Sequence, residues 1–551
     1  MRHMFVMAVV WCMAVLPMAP VEAGAVYWED GDGGSGTIAG ATWNDIQTAI
    51  NSAQGNAATP GAVKLSGDYQ RTSTNDTTLT ISTGNIGVSG GWDSTSTTQS
   101  GKSTLDVNAR NDGLNDAKRV MHVTGAPDVG LSDLVLTKGS GNDNGGGLRL
   151  DGASHRFTME HVRVTANEAA HDFTTAGGGI YIAGDSSDRM QDLRITSCEI
   201  DHNYSASAGY GGGMYVQYAG TADHPAIVEN TEISYNRVHP KYNKHSEGGG
   251  IYVNEENRML LANCRLTNNQ GNTGSAIRFG GWQNKPEVVV FGSLVTGNEG
   301  YGGGAAPTVY GQAWVGSAFV TLANTTIADN DGGQVYTSVQ KYGASVQRPI
   351  QLVNSIYSDD DAGLHVYYNR KPAHLDMQAS TLEAAWYKYR DPDGNTYTVT
   401  GLLNALGTQD TSGDYRFHSI DAAGNITQNL EQNIESAPGF LGSGDDPYQL
   451  DPANPFSASS ADNAELAVGA FSYVDVNYNQ AYDPLLDVIV DGTPPAGNHF
   501  VYLTDLLGQD RVLGGGLDRG AYEMEVPPIP EPAGLSLVGL ALLALKRRKR
   551  S

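Results

Sequence analysis

Recognition chemistry is suggested first by residues that recur at one position. Arg149, Tyr181, Tyr215, Tyr252, Arg278, Tyr336 and His365 each stand second in a short strand-like phrase, and several of these phrases follow a glycine run: GGGLRL, GGGIYI, GGGMYV, GGGIYV. Alternation along a strand sends such residues to the face opposite their apolar neighbours, so they are expected to form one outward file. Tyrosine rings can stack on pyranose CH groups and guanidinium can pair with uronate or sulfate, so Arg149, Tyr181, Tyr215, Tyr252, Arg278 and Tyr336 are the candidate ligand-binding residues. The same file equally suits tyrosines that stack on one another, since Tyr has high strand propensity. A second outward file runs Arg163, Glu199, Glu232, Arg265. Its signs allow Arg163 to pair with Glu199 and Glu232 with Arg265, at roughly 0.2–1 kcal/mol each on a surface. On an enzyme, the same carboxylates would stand a few ångströms apart beneath an open groove.

Both files depend on a repeat. From Gly177 to Asn269 the chain states one pattern three times: GGGIYI then SCEIDHN, GGGMYV then NTEISYN, GGGIYV then NCRLTNN. Cys198, Thr231 and Cys264 fall at one slot thirty-three residues apart, with Asn203, Asn236 and Asn269 closing the phrase. The register extends from Gly139 through Asn167, Asn298 and Asn330 to Asp360 with variable steps, as expected of coils whose strands stack while their loops differ in length. Leu136, Val164, Ile200, Ile233, Leu266, Val295, Ile327 and Tyr357 are predicted to form one inward file. The phrases are short and rich in Val, Ile, Thr and Tyr, which favours strands over helix pairs. The closing Asn is assigned two uses: tolerance of the left-handed backbone at a sharp turn and hydrogen bonding along the axis. The predicted fold is all-β, a single-stranded right-handed parallel β-helix (solenoid) with a short N-terminal cap helix and irregular C-terminal coils.

The chain has 551 residues, 69 of them Gly, and a formal charge of −26, which suits a large soluble protein with a long core and excludes nucleic acid as a partner on electrostatic grounds. Residues 1–23 read as a secretory signal: Arg2, an apolar run from Met4 to Leu16, then Val21-Glu22-Ala23. Cys198 and Cys264 share a slot two coils apart, about 9.6 Å at strand spacing, too far for a disulfide, and are expected to be buried thiols. Residues 24–139 are assigned to a cap and first coils, with Thr42–Ala53 as an amphipathic helix closing the open end. Regular repeats occupy 140–378 and turn-rich irregular coils 379–526.

Resemblance adds to this reading at the C-terminal end. NSI at Asn354–Ile356, the stretch APGFLGSGDDPYQLDPANPF and the closing GLDRGAYE (Gly516–Glu523) resemble the bacterial surface proteins grouped as choice-of-anchor Q, and the glycine and Asn phrases resemble right-handed parallel β-helix proteins. The tail, residues 527–551, carries Pro530-Glu531-Pro532, an apolar run from Ala533 to Leu545, then Lys546 to Arg550. That run is short for a bilayer span, and the pattern resembles the PEP-CTERM sorting signal. The resemblance implies removal by an exosortase, only transient membrane contact through the tail, and location at the cell surface or in the extracellular matrix of a Gram-negative-type bacterium.

Two functions follow from this. One is non-catalytic binding of polysaccharide or envelope components; the other is a polysaccharide lyase or glycoside hydrolase, since pectate lyases and polygalacturonases share the β-helix, although fold alone does not carry function. A polygalacturonase-like site would need NTD, paired Asp, GHG and RIK phrases, of which the sequence offers only a paired Asp within Asp359–Asp361. No cofactor is expected. Calcium finds only incomplete loops, at Glu29–Gly36, Asp391–Gly394 and Asp475–Asn479, the last lacking both the glycine and the closing acid of a calcium loop.

Overall fold

Each repeat carries strand-forming phrases separated by residues that turn the chain, and the coils stack so that every phrase pairs with its counterpart one repeat on. The computed structural model describes residues 24–339, short loop segments excepted, and beyond them a set of strands reaching Leu517. In one coil, Ala226–Glu229 lies in sheet A, Glu232–Ser234 in sheet B, Arg237–Val238 in a short sheet and Ile251–Asn254 in sheet C. Among the described residues sheet A has 13 strands, sheets B and C 12 each and the short sheet six. Successive coils pair in parallel. Register places Leu136, Val164, Ile200, Ile233, Leu266, Val295, Ile327 and Tyr357 in line, all buried, as the phrase alignment predicts.

The closing asparagines have one of their two predicted uses. The left-handed residue is the one before each of them: Ala166, His202, Tyr235, Asn268, Gly297 and Asp329, with φ between 51° and 64°. The Asn side chains instead point into the core as a ladder. Asn236 Oδ1 accepts from the backbone N–H of Asn203 at 3.1 Å and from its Nδ2 at 3.0 Å, while Asn236 Nδ2 donates to the Ile200 carbonyl at 2.7 Å and to Asn269 Oδ1 at 3.1 Å. Asn167, Asn203, Asn269 and Asn298 repeat the scheme. A glycine opposite makes room: a Cβ on Gly213 would stand 2.8 Å from Asn236 Nδ2, and the φ of +62° at Gly211 starts the bend.

Cys198 and Cys264 are buried free thiols, and burial pushes both up to about 12. The cysteine slot is bonded to the next coil: the N–H of Cys198 donates to Thr231 Oγ1 at 3.2 Å and that of Cys264 to Ser293 Oγ at 2.9 Å. At the N-terminal end, Ala25–Glu29 pairs antiparallel with Gly61–Ser66, the first coil strand of sheet A, and Ser35–Ala39 pairs antiparallel with Ala25–Glu29 in turn, so the two cover its edge. Helix α1, Trp43–Ser52, buries Trp43, Ile46, Ala49 and Ile50, and the Asp45 carboxylate accepts from Thr42 N–H at 2.7 Å, so the cap helix expected from Thr42–Ala53 is present.

Described strands continue into the C-terminal part. In sheet C parallel pairing continues to Trp386–Arg390 and ends where Thr396–Thr400 pairs antiparallel with that strand, and in sheet B it runs on from Thr381–Leu382 to Ile434–Glu435. Beyond it, Phe417–Ile420, Ile426–Gln428, Phe471–Val474, Val488–Gly492 and Phe500–Val501 form a five-stranded sheet whose pairings are antiparallel but for the last.

Because every Asn in the ladder serves its neighbour, Asn236→Ala leaves the Asn203 donors and the Ile200 carbonyl short of a buried partner. It is expected to lower stability by roughly 2–5 kcal/mol, given about 1–3 kcal/mol for each buried group left unsatisfied. Denaturant titration followed by circular dichroism measures this.

Candidate functional site

Sheet C gathers the predicted recognition file with no break in register. His122, Arg149, Tyr181, Tyr215, Tyr252, Arg278, Tyr310, Tyr336 and His365 are successive partners. Tyr310 was missed in the sequence because AAPT separates it from its glycine run, and His122 because no glycine run precedes it.

The structure corrects how these residues present themselves. Tyr181 and Tyr215 stack at 5.2 Å between centroids and 7° between planes, Tyr215 and Tyr252 at 5.4 Å and 3°, Tyr310 and Tyr336 at 4.7 Å and 4°. Arg278 fills the gap between the two groups of rings, its Cζ 5.4 Å from the Tyr252 centroid and 4.7 Å from that of Tyr310, and Arg149 lies 5.5 Å from Tyr181. Tyr215 and Tyr252 are each 7% exposed and Arg278 only 3%. Strand spacing of about 4.8 Å is close to the centroid separation of offset stacked rings, so the facing sides of Tyr181, Tyr215 and Tyr252, and of Tyr310 and Tyr336, are taken by each other instead of being open to a sugar. Burial works against the charge of Arg278, yet Tyr252, Glu247 and Tyr310 outweigh it and hold the guanidinium above its ordinary value; its Nε donates to Glu247 Oε2 at 3.0 Å.

The second file gives an open site. Arg163, Glu199, Glu232 and Arg265 are successive partners on sheet B. Arg163 Nε lies 3.4 Å from Glu199 Oε2, as expected, but Arg163 also pairs with Asp201 at 2.8 Å, and Lys102 Nζ approaches Glu199 at 3.5 Å. Glu232 stands in register with Arg265 and accepts from Ser234 Oγ at 2.7 Å. Along the corner between sheets A and B a cleft of about 330 Å³ is lined by Glu199, Glu232, Arg265, Asn230, Asn263 and, from far along the chain, Asp505.

Asp505 is there because the C-terminal segment returns to the solenoid. The outward residues Ile227, Leu260 and Val289 of sheet A are buried. Tyr502 lies on this face, its ring 5.8 Å from that of Phe291 and its hydroxyl 2.5 Å from Glu229 Oε2. Arg194 and Thr196 bind the other oxygen of Glu229, at 2.8 and 2.9 Å. The sequence signal for this contact is lost alternation: RMLLA and EVVVF are continuous apolar runs, the mark of strands covered on both faces.

Among the described residues no group of three or more His, Cys, Asp and Glu could hold a metal ion. The Glu29–Gly36 candidate is a hairpin turn in which Asp30 Oδ1 accepts the N–H groups of Asp32 and Gly34. The other two calcium candidates, Asp359–Asp361, the leader and residues 527–551 with Pro530, Glu531 and Pro532 lie outside the described residues, as does the side chain of His365.

Coil-on-coil parallel sheets around one apolar core define a β-helix protein. Residues 138–382 match the family model described as right handed beta helix region, and the fold is accordingly a right-handed parallel β-helix. No curated protein and no solved structure matches the chain.

Burial pushes the Glu229 carboxyl up, but Arg194, Tyr502 and Thr196 outweigh it and hold it below its ordinary 4.5. A depressed folded-state value makes this carboxylate's contribution complete above the unfolded value and lost as pH falls through the folded one. Glu229→Gln is therefore expected to flatten the acid limb of the stability curve below about pH 4.5. Tyr502→Phe should raise deuterium uptake in residues 488–507 at neutral pH, with a docking loss of about 1–3 kcal/mol for a hydrogen bond to a charged group.

Proposed function

We propose that this β-helix belongs to an exported surface or matrix protein that binds an extended polysaccharide without cleaving it. One observation carries the reading: the cleft along sheet B repeats hydrogen-bonding side chains, Asn230 and Asn263 beside Glu199, Glu232 and Arg265, from coil to coil along the axis. A repeat of about 4.8 Å is close to one sugar unit, so a polymer lying along the axis meets a similar set of groups at each residue. The cleft's volume lies at the lower end of the range for ligand sites.

Glu199 and Glu232 are direct partners, and two carboxyls about 5 Å apart are also the arrangement of a retaining glycosidase. That observation keeps the hydrolase as a second reading. The Glu199 carboxylate is engaged by Lys102 at 3.5 Å and Arg163 at 3.4 Å instead of standing ready for a scissile bond, which favours binding. Electrophoresis through gels containing neutral or acidic polysaccharide is expected to show retardation, with no new reducing or unsaturated ends in the polymer. Free mobility in every gel overturns the binding reading, and chain-end release assigns the hydrolase or lyase.

Export rests on the leader and on the tail's likeness to a PEP-CTERM signal, with an exosortase as the processing partner. Protein isolated from its native envelope is expected to have an intact mass lacking Lys546 to Arg550; retention of that basic end overturns the sorting reading.

A further inference from the structure

At the corner between sheet B and the short sheet, each coil holds one residue in the left-handed region, and Asn268, Gly297 and Asp329 are types that suit it. Tyr235, with φ of 54°, is not, and neither is Ala166 two coils earlier, with 56°. Packing does not explain it, because Tyr235 is 53% exposed. Its ring stacks at 5.0 Å and 15° on His202, the exposed residue in the same slot of the preceding coil. Past the buried Asn236, Arg237 is also exposed and lies over the Tyr204 ring at 4.7 Å, with His239 tilted against the same ring at 5.9 Å. Among the described residues Arg237 makes no ion pair, while His202 faces Asp201, which Arg163 also holds. In a chain of formal charge −26 this corner therefore presents an open ring and, two residues on, an exposed guanidinium that no carboxylate among the described residues holds. It differs from the sheet C file, where ring faces are taken and Arg278 is paired.

We infer that this corner is a subsite for an acidic polysaccharide, with a sugar face on the exposed Tyr235 ring and a sugar carboxylate on Arg237. A ring face recognises the CH groups of a pyranose and a guanidinium edge recognises a planar carboxylate. The subsite rests on the polysaccharide reading above and adds the class of polymer and the residues that select it.

The test is native affinity electrophoresis of the full chain in gels containing alginate, dextran or polyacrylate, which supply sugar with carboxylate, sugar alone and carboxylate alone. Alginate is expected to retard the parent most. Tyr235→Asn, which installs a residue suited to the left-handed slot, should melt no lower than the parent yet bind alginate roughly three- to tenfold more weakly, as should Arg237→Gln. If both variants are retarded like the parent, this subsite is wrong while the polysaccharide reading stands. A parent that runs freely in both alginate and dextran overturns both. Equal retardation by polyacrylate reduces the corner to a charge patch and overturns the sugar assignment.

Discussion

Stacking one coil directly upon another constrains everything else in this protein. Parallel pairing at one strand spacing satisfies the backbone only if each side chain can also stand about 4.8 Å from its counterpart above and below. Inside, aliphatic side chains meet the requirement by close packing. Asn203, Asn236 and Asn269 meet it differently, since an amide has both a donor and an acceptor and can bond to a copy of itself. The ladder is the side-chain version of the backbone pairing beside it, and it excludes larger residues from the glycine positions it faces.

Outside, the same requirement determines which chemistry stays available. Aromatic residues repeated at one position turn their faces to each other, and Tyr215 and Tyr252 become a second small core under Tyr181 and Tyr210. Repeated carboxylates are tolerated where cations intervene, as Lys102 and Arg163 do for Glu199. Available groups collect at the corners, where the chain changes direction between sheets. The cleft at one edge of sheet B and the Tyr235 corner at its other edge are both of this kind.

The C-terminal segment contributes a contact that repetition alone would not produce. Over coils that contain Ile227, Leu260 and Val289, sheet A is apolar on its outer as well as its inner face. Tyr502 and Asp505 return to this side of the solenoid, and Glu229 is satisfied jointly by Arg194 from the neighbouring coil and by Tyr502 from 273 residues away. One wall of the candidate cleft is thus supplied by a region whose sequence shows no coil period.

Periodicity by itself determined the parallel coils, the inward file from Leu136 to Tyr357, the unpaired cysteines, the sheet B file and the sheet C file apart from His122 and Tyr310, because each follows from local alternation combined with a constant slot, while helical spacing after Thr42 determined the capping helix at Trp43. Which of those outward residues remain open was decided only in three dimensions. Tyr215 and Tyr235 are both tyrosines on neighbouring stretches of repeat, yet one is sealed between rings and the other projects from a corner. The difference lies in what occupies the same slot of adjacent coils: Tyr215 has a stacked ring on each side, whereas Tyr235 has one on the His202 side and Asn268 in the next coil. The place of the left-handed residue, one before each Asn, and the return of Tyr502 to Glu229 were likewise settled by tertiary structure, the first by the direction in which the amide must point to reach the next coil, the second by a contact between segments with no common period.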